Sequence, residues 1–167
     1  MINKKHIIAI DFILLVGSLL LVAGLVSYAR PLIIAPIDDL VTTENSILFE
    51  FEKASLILID DNPEFTSPKK INVENNLVIN LQPGFYYWKI VGALSSEIRE
   101  FTIKSEINLK LKKSDSGEDS YQIINAGNLD LDVDILQMGE ITGNIILKVD
   151  EEKEVSGTKF IGGENEN

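Results

Sequence analysis

"LQPGFYYWKI", residues 81–90, sets four aromatic residues in a row directly behind a proline-glycine turn. Pro83 fixes its own φ and Gly84 supplies a backbone conformation that other residues avoid, so the chain reverses here and a strand follows. Neighbouring side chains on a strand point to opposite faces. Tyr86, Trp88 and Ile90 therefore share one face, while Phe85, Tyr87, Lys89 and Val91 share the other. The four rings are two pairs set back to back, and one pair belongs to the inside of a fold.

The same alternation extends on both sides of this stretch. In "SILFEFEK", residues 46–53, Ile47, Phe49 and Phe51 face one way and Glu50 and Glu52 the other; in "NLVINL", residues 76–81, Leu77, Ile79 and Leu81 repeat the pattern. No segment beyond residue 30 keeps a 3.6-residue apolar stripe, and the period-two runs are broken by Pro, Gly, Asn and Asp, so the expected class is all-β. "DDNPEFTSPKK", residues 60–70, reads as a loop crossing from one sheet to the other.

Toward the C-terminus, Phe101, Ile103, Ile107, Leu109 and Leu111 all fall on odd positions, so one strand register is expected to run through "FTIKSEINLKL". With no Gly/Pro linker, this predicts a stiff junction between a first domain, residues 30–105, and a second, smaller β unit, residues 106–162. The second unit holds "YQIINAGNLDLDVDIL", "ITGNIILKV" and "EVSGTKFIGG". Roughly five strands in so short a segment make an incomplete module that leans on its neighbour for burial. Residues 163–167 read as a frayed acidic tail.

The N-terminal segment obeys a different rule. From Ile7 to Ala29 the chain carries a single charge, Asp11, over roughly 34 Å of helix at about 1.5 Å per residue. Lys4 and Lys5 precede this run, and Asp38, Asp39 and Glu44 follow it. That asymmetry places residues 1–6 in the cytoplasm, a transmembrane helix at 7–29, and the β region outside. A cleaved signal peptide is the competing reading, because Ser27-Tyr28-Ala29 offers small residues at the two positions that matter. The apolar run exceeds the roughly 7–15 residues of a signal h-region, which favours an uncleaved signal anchor.

Composition narrows the function. Lys plus Arg is 15 against 26 for Asp plus Glu, a formal net charge of −11, and this sign excludes a nucleic-acid partner. The chain has no cysteine, which removes disulfides, thiol nucleophiles and thiolate metal sites together. Its one histidine, His6, lies on the cytoplasmic side, so no Ser-His-Asp or Cys-His arrangement is available outside. The expectation is a non-enzyme without cofactors.

"PLIIAPIDD", "FEFEKASLILIDDNPEFTSP", "LQPGFYYWKIVGA" and "EIREFTI" together resemble the fibronectin type III-like, immunoglobulin-like β-sandwich of prokaryotic membrane-anchored surface proteins, archaeal ones included. The resemblance covers roughly residues 31–104. It implies that Tyr86 is the corner tyrosine, with Trp88 and Ile90 inward after it. Where the family often carries a tryptophan on its second strand, this chain has Phe51. The resemblance implies fold and setting and little chemistry, because the family is functionally mixed.

Phe49, Phe51, Tyr86, Trp88, Ile90 and Phe101 are accordingly the expected core anchors. By the same register, Ile57 and Ile59 point inward, while Leu56, Leu58, Phe85, Tyr87 and Val91 point outward as a contiguous apolar patch. Either the second β unit or a surface loop covers that patch, or it docks a partner. Asp60, Asp61 and Glu64 are weak candidates for a cation site, with solvated turn chemistry as the alternative. "DLDVDI" has Ile135 where a calcium loop needs glycine, so Asp130, Asp132 and Asp134 read as the acidic outer face of a strand, with Lys104, Lys110 and Lys112 expected across from them.

The expected protein is an all-β ectodomain, an immunoglobulin-like β-sandwich plus a smaller β unit, on one N-terminal transmembrane α-helix. Its expected role is a cell-surface structural or protein-interaction module whose partner is another envelope protein or a second copy. The alternative is a secreted or envelope module binding glycans or peptides, released by cleavage after Ala29.

Overall fold

The structure, a computed structural model, describes residues 4–115 and 119–165. It is mostly β, in several sheets, and has one N-terminal helix whose apolar stretch is 20 residues long. The helix, α1 (Lys4–Ala29), is followed by β1 (Leu32–Ala35), β2 (Leu40–Thr42), β3 (Ser46–Glu52), β4 (Ala54–Asp60), β5 (Lys69–Asn72), β6 (Leu77–Asn80), β7 (Gly84–Gly92) and β8 (Arg99–Ile103). Six further strands follow: β9 (Leu109–Lys113), β10 (Ser120–Asn125), β11 (Leu131–Gln137), β12 (Glu140–Leu147), β13 (Glu152–Ser156) and β14 (Lys159–Glu164).

Strands β1 to β8 form the two sheets of a β-sandwich, ordered β1-β3-β6 and β2-β8-β7-β4-β5. The chain changes sheets between β1 and β2, at the cis Ala35-Pro36 bond, and β2 then pairs parallel with β8. Strand β7, the product of the Pro83-Gly84 turn, is the central strand of the five-stranded sheet. Its neighbour β4 is antiparallel and places Ile57 against Ile90 and Ile59 against Trp88. Those four side chains are buried, as the alternation requires. The loop at residues 61–68 joins β4 to β5, which pair within one sheet, so it does not cross between sheets as its length suggested.

The chain divides into two compact units. The first comprises Met1–Pro36, Phe49–Leu77 and Tyr87–Arg99. Its core holds Phe49, Phe51, Ile57, Ile59, Trp88 and Ile90, with the Phe49 ring edge-on to Trp88 at 4.9 Å. Trp88 is fully enclosed and its indole N–H has no acceptor among the described residues. Aromatic burial on this scale outweighs one unmade indole bond. Gly92 lies opposite Ala54, and a Cβ there would sit 2.0 Å from the Lys53 carbonyl oxygen, so only glycine allows the approach.

The second unit comprises Ile37–Leu48, Val78–Tyr86 and Glu100–Asn167. Within it, β9 and β13 flank β10 in one sheet, and β12 and β14 flank β11 in another. Six strands thus stand where about five were expected, and they enclose their own core of Ile123, Leu129, Leu131, Val133 and Leu147, with Leu109, Ile145, Val155 and Phe160 against it. Residues 163–165 of the expected frayed tail are instead paired. Strand β14 runs to Glu164, and the Asn165 N–H donates to the Asp130 carbonyl. Residues 166–167 of that tail, and residues 1–3 of the expected cytoplasmic end, lie outside the described residues.

The junction at residues 104–108 differs from the expectation of one continuous strand. Strand β8 stops at Ile103 and β9 starts at Leu109, and Ile107 and Leu111 are 52% and 53% exposed rather than inward. Asn128, itself buried, organises the segment. Its side-chain amide donates to the carbonyls of Thr43 (2.6 Å) and Lys104 (2.7 Å), and its Oδ1 accepts from the Glu106 N–H (2.7 Å). The Asn45 amide caps the Asn128 carbonyl at 2.7 Å. Asn125, fully buried in the same turn, donates to the carbonyls of Leu129 and Leu147 and accepts from the Gly127 N–H. A Cβ on Gly127 would lie 2.1 Å from the Glu106 carbonyl oxygen, so glycine is what lets this turn close on the junction.

Candidate functional site

The apolar patch expected on the outer face of the central sheet is built in the first unit from β4 and β7. Leu56 lies across from Val91 and Leu58 across from Lys89, with Tyr87 opposite Asp60. Leu56, Leu58, Tyr87 and Val91 are each half-buried. Phe85, the fifth expected member, belongs to the second unit and is 42% exposed. The face is not a continuous apolar surface. Lys89 separates Tyr87 from Val91 along β7, and Lys70 of β5 stands across from Leu58.

A loop supplies part of the cover. Phe65 has a left-handed backbone (φ 53°), and the Lys89 ammonium sits over its ring at 4.1 Å. This is a cation–π contact, worth about 0.5–1 kcal/mol at an exposed position. What sets the loop is Asp60, whose Oδ1 accepts from the Asp61 N–H at 2.9 Å and Oδ2 from the Ser67 N–H at 3.0 Å. Asn62 Oδ1 accepts from the Glu64 N–H, an Asx turn inside the same loop. Asp60 is therefore buried as the loop's hydrogen-bond acceptor, while Asp61 and Glu64 face solvent. Among the described residues no three His, Cys, Asp or Glu side chains are placed to hold a metal ion.

Of the expected core anchors, Phe49, Phe51, Trp88, Ile90 and Phe101 are buried. Tyr86 differs: it is half-buried, stacks on Phe101 at 5.3 Å, and donates its hydroxyl to the Gln82 carbonyl at 2.8 Å. This is the geometry of a tyrosine corner, in which the ring seals the sandwich end while the hydroxyl reaches back across the turn.

The "DLDVDI" aspartates have different neighbours from those expected. Asp132 and Asp134 lie on the outer face of β11, and the Asn144 amide on β12 donates to both. Asp130 precedes the strand and accepts from the Val149 N–H. Lys110 and Lys112 are on β9, paired with Ile124 and Gln122 of β10 in the other sheet, and Lys104 lies in the junction, so the lysine-aspartate ladder does not form.

Two carboxylates outside the expected set have perturbed protonation. Glu100 is pushed up, first by desolvation, then by a hydrogen bond and charge repulsion from Asp39 and repulsion from Asp38. Glu151 is held below the usual carboxylate range by the Lys148 N–H, which donates to it at 2.8 Å, and by Lys153. Neither follows from local sequence alone, since each depends on which segments the fold brings together.

At the start of the sandwich the helix has its own seat in the first unit. The Lys53 ammonium donates to the Tyr28 carbonyl at 3.1 Å and lies over the Tyr28 ring at 4.3 Å, a cation on the negative end of the helix. Arg30 and Pro31 alone separate α1 from β1.

No family model and no curated protein sequence matches the chain. Among solved structures it is similar to the BSP domain of a biofilm-associated protein, at 15% identity and a TM-score of 0.31, over 86% of this chain and 29% of that one. It is also similar to native alpha-2-macroglobulin of Escherichia coli spanning domains MG0-NIE-MG1, at 9% identity and a TM-score of 0.29, over 72% of this chain and 55% of that one. A third is the class 5 fimbriae chaperone CfaA, at 14% identity and a TM-score of 0.20, over 82% of this chain and 87% of that one. The chain thus spans less than two thirds of the length of the first two.

Proposed function

We propose that the chain is a single-pass membrane protein that holds an immunoglobulin-like sandwich and a smaller β unit on the outer side of a membrane for structural or protein-protein contacts. The observation carrying this reading is α1: no residue of its apolar stretch from Ile10 to Ala29 is buried by the rest of the chain, and it passes into β1 with two residues between. An apolar helix that buries none of its residues against the rest of the fold has its free-energy minimum in lipid. In this reading the outer part binds rather than catalyses, and its partner is another envelope protein or a second copy.

Expression in a bacterial inner membrane tests it. The chain should resist alkaline carbonate extraction, its β region should be digested by protease added to spheroplasts, and the mature N-terminus should precede Lys4. A mature N-terminus at Arg30 would instead identify a released module, a reading favoured by one fact: β1 begins at Leu32, so cleavage after Ala29 leaves every strand whole.

A further inference from the structure

The first unit has a cleft of about 390 Å³ where the helix meets the sandwich, lined by Arg30, Ile33, Ser95, Ser96, Glu97 and Arg99 among others. Building on the anchor reading above, we propose that this cleft seats the phosphate of an outer-leaflet lipid headgroup.

Depth is the first argument. The apolar stretch of α1 spans about 30 Å at ~1.5 Å per residue, the thickness of a bilayer's hydrocarbon, and it ends at Ala29. Arg30 is the next residue, so the mouth of the cleft lies at the level of the headgroups. Tyr28, 74% exposed on the last helical turn, is the kind of aromatic that settles at this boundary. Lys53 pins that turn to the sandwich through the Tyr28 carbonyl and ring, which fixes the cleft at this depth.

Charge is the second. The whole chain carries −11, yet this lining holds two arginines and one acid. Glu97 is engaged by Arg99, whose Nε and Nη2 both donate to Oε1 at 3.1 and 2.9 Å. Arg30 is exposed and takes part in no ion pair among the described residues. An arginine fork held at headgroup depth recognises a phosphate through two parallel charge-assisted hydrogen bonds. Leu32 in the same lining and Ile98 beside it are 54% and 47% exposed, and they offer apolar contact to the lipid's glycerol and upper acyl segments.

The test uses the full-length chain in nanodiscs of mixed phosphatidylcholine and phosphatidylglycerol, with retained lipids counted by native mass spectrometry after release. Wild type should carry bound phospholipid, and Arg30→Gln should retain it roughly tenfold less, the effect of losing one charge-assisted contact. Lys110→Gln, which removes the same charge from exposed β9, should retain as much as wild type. Equal retention by Arg30→Gln and wild type overturns the proposal, as does equal loss in both variants. Displacement of the lipid by millimolar inorganic phosphate would identify free phosphate as the ligand and overturn the lipid assignment. Release of wild type from vesicles by carbonate would overturn the anchor reading itself, whereas retention in vesicles with Arg30→Gln unchanged sinks the cleft alone.

Discussion

Asn128→Ala tests how the β9–β14 strands are tied to the segment that precedes them. The substitution removes three hydrogen bonds, two donated to the Thr43 and Lys104 carbonyls and one accepted from the Glu106 N–H. Each is worth about 1 kcal/mol net when water can replace the lost partner, and more when it cannot. Thr43, Lys104 and Glu106 are exposed residues but the three bonds are partly buried, so the lower value is a minimum. The sum is at least about 3 kcal/mol, and at roughly 2–4 °C per kcal/mol for a chain of this size the midpoint should fall by about 6–12 °C or more. Asn128→Asp should be at least as damaging, because a carboxylate would face two carbonyl oxygens with no N–H to offer them. Thermal melts of the full-length chain in detergent, followed by the β-sheet circular dichroism signal, measure both, and hydrogen exchange at the Glu106 amide reports the local effect. If Asn128→Ala melts within about 1 °C of wild type, or Asn128→Asp is the milder change, the reasoning about this junction is wrong.

Gly127→Ala should be worse than either, since its Cβ would lie 2.1 Å from backbone that cannot step aside, and melts should show a loss of several kcal/mol or no folded second unit. Tyr86→Phe keeps the ring on Phe101 and removes only the bond to Gln82, so calorimetry should record a loss of about 1 kcal/mol, whereas Tyr86→Ala should lose several. Glu100 has its folded-state pKa raised, so the folded chain holds that proton more tightly than the unfolded chain and stability falls as pH rises through the unfolded and then the folded value. Glu100→Gln should therefore raise the midpoint at pH 7 and change it little near pH 3.5, a difference that paired melts at the two pH values would reveal. Glu151 has the opposite sign: its stabilisation is present above the unfolded value and lost as pH falls through the lowered one, so Glu151→Gln should lower the midpoint at pH 7 and matter little in acid.

What could be read from the chain was whatever a strand's pleat decides locally. Ile57, Ile59, Trp88 and Ile90 lie inward because each alternates with polar or solvent-side neighbours within its own strand, and no knowledge of topology is needed to see it. The misread features all depend on partners distant in sequence. Ile107 and Leu111 share parity with Phe101, but parity carries through only if the strand is unbroken, and the hydrogen bonds that break it come from Asn128. The aspartates of β11 and the lysines of β9 have the right spacing to pair, yet their strands belong to different sheets. The outer face of β4 and β7 is interrupted by Lys89, whose place on that face alternation gives, and by Lys70 and Phe65, whose places depend on strand pairing and on the loop that the Asp60 carboxylate holds. Tyr86, expected as the corner tyrosine and a core anchor, makes the corner bond to the Gln82 carbonyl but is half-buried.

Strand β2 runs parallel to β8, with Leu40 beside Phe101 and Thr42 beside Ile103. A pull delivered from the helix end on β2 and from the C-terminal side on β8 drags these strands past one another lengthwise. Their rungs then resist together instead of opening one by one as in a zipper. Tension between the two ends of the chain would therefore load this pair in shear rather than peel it open.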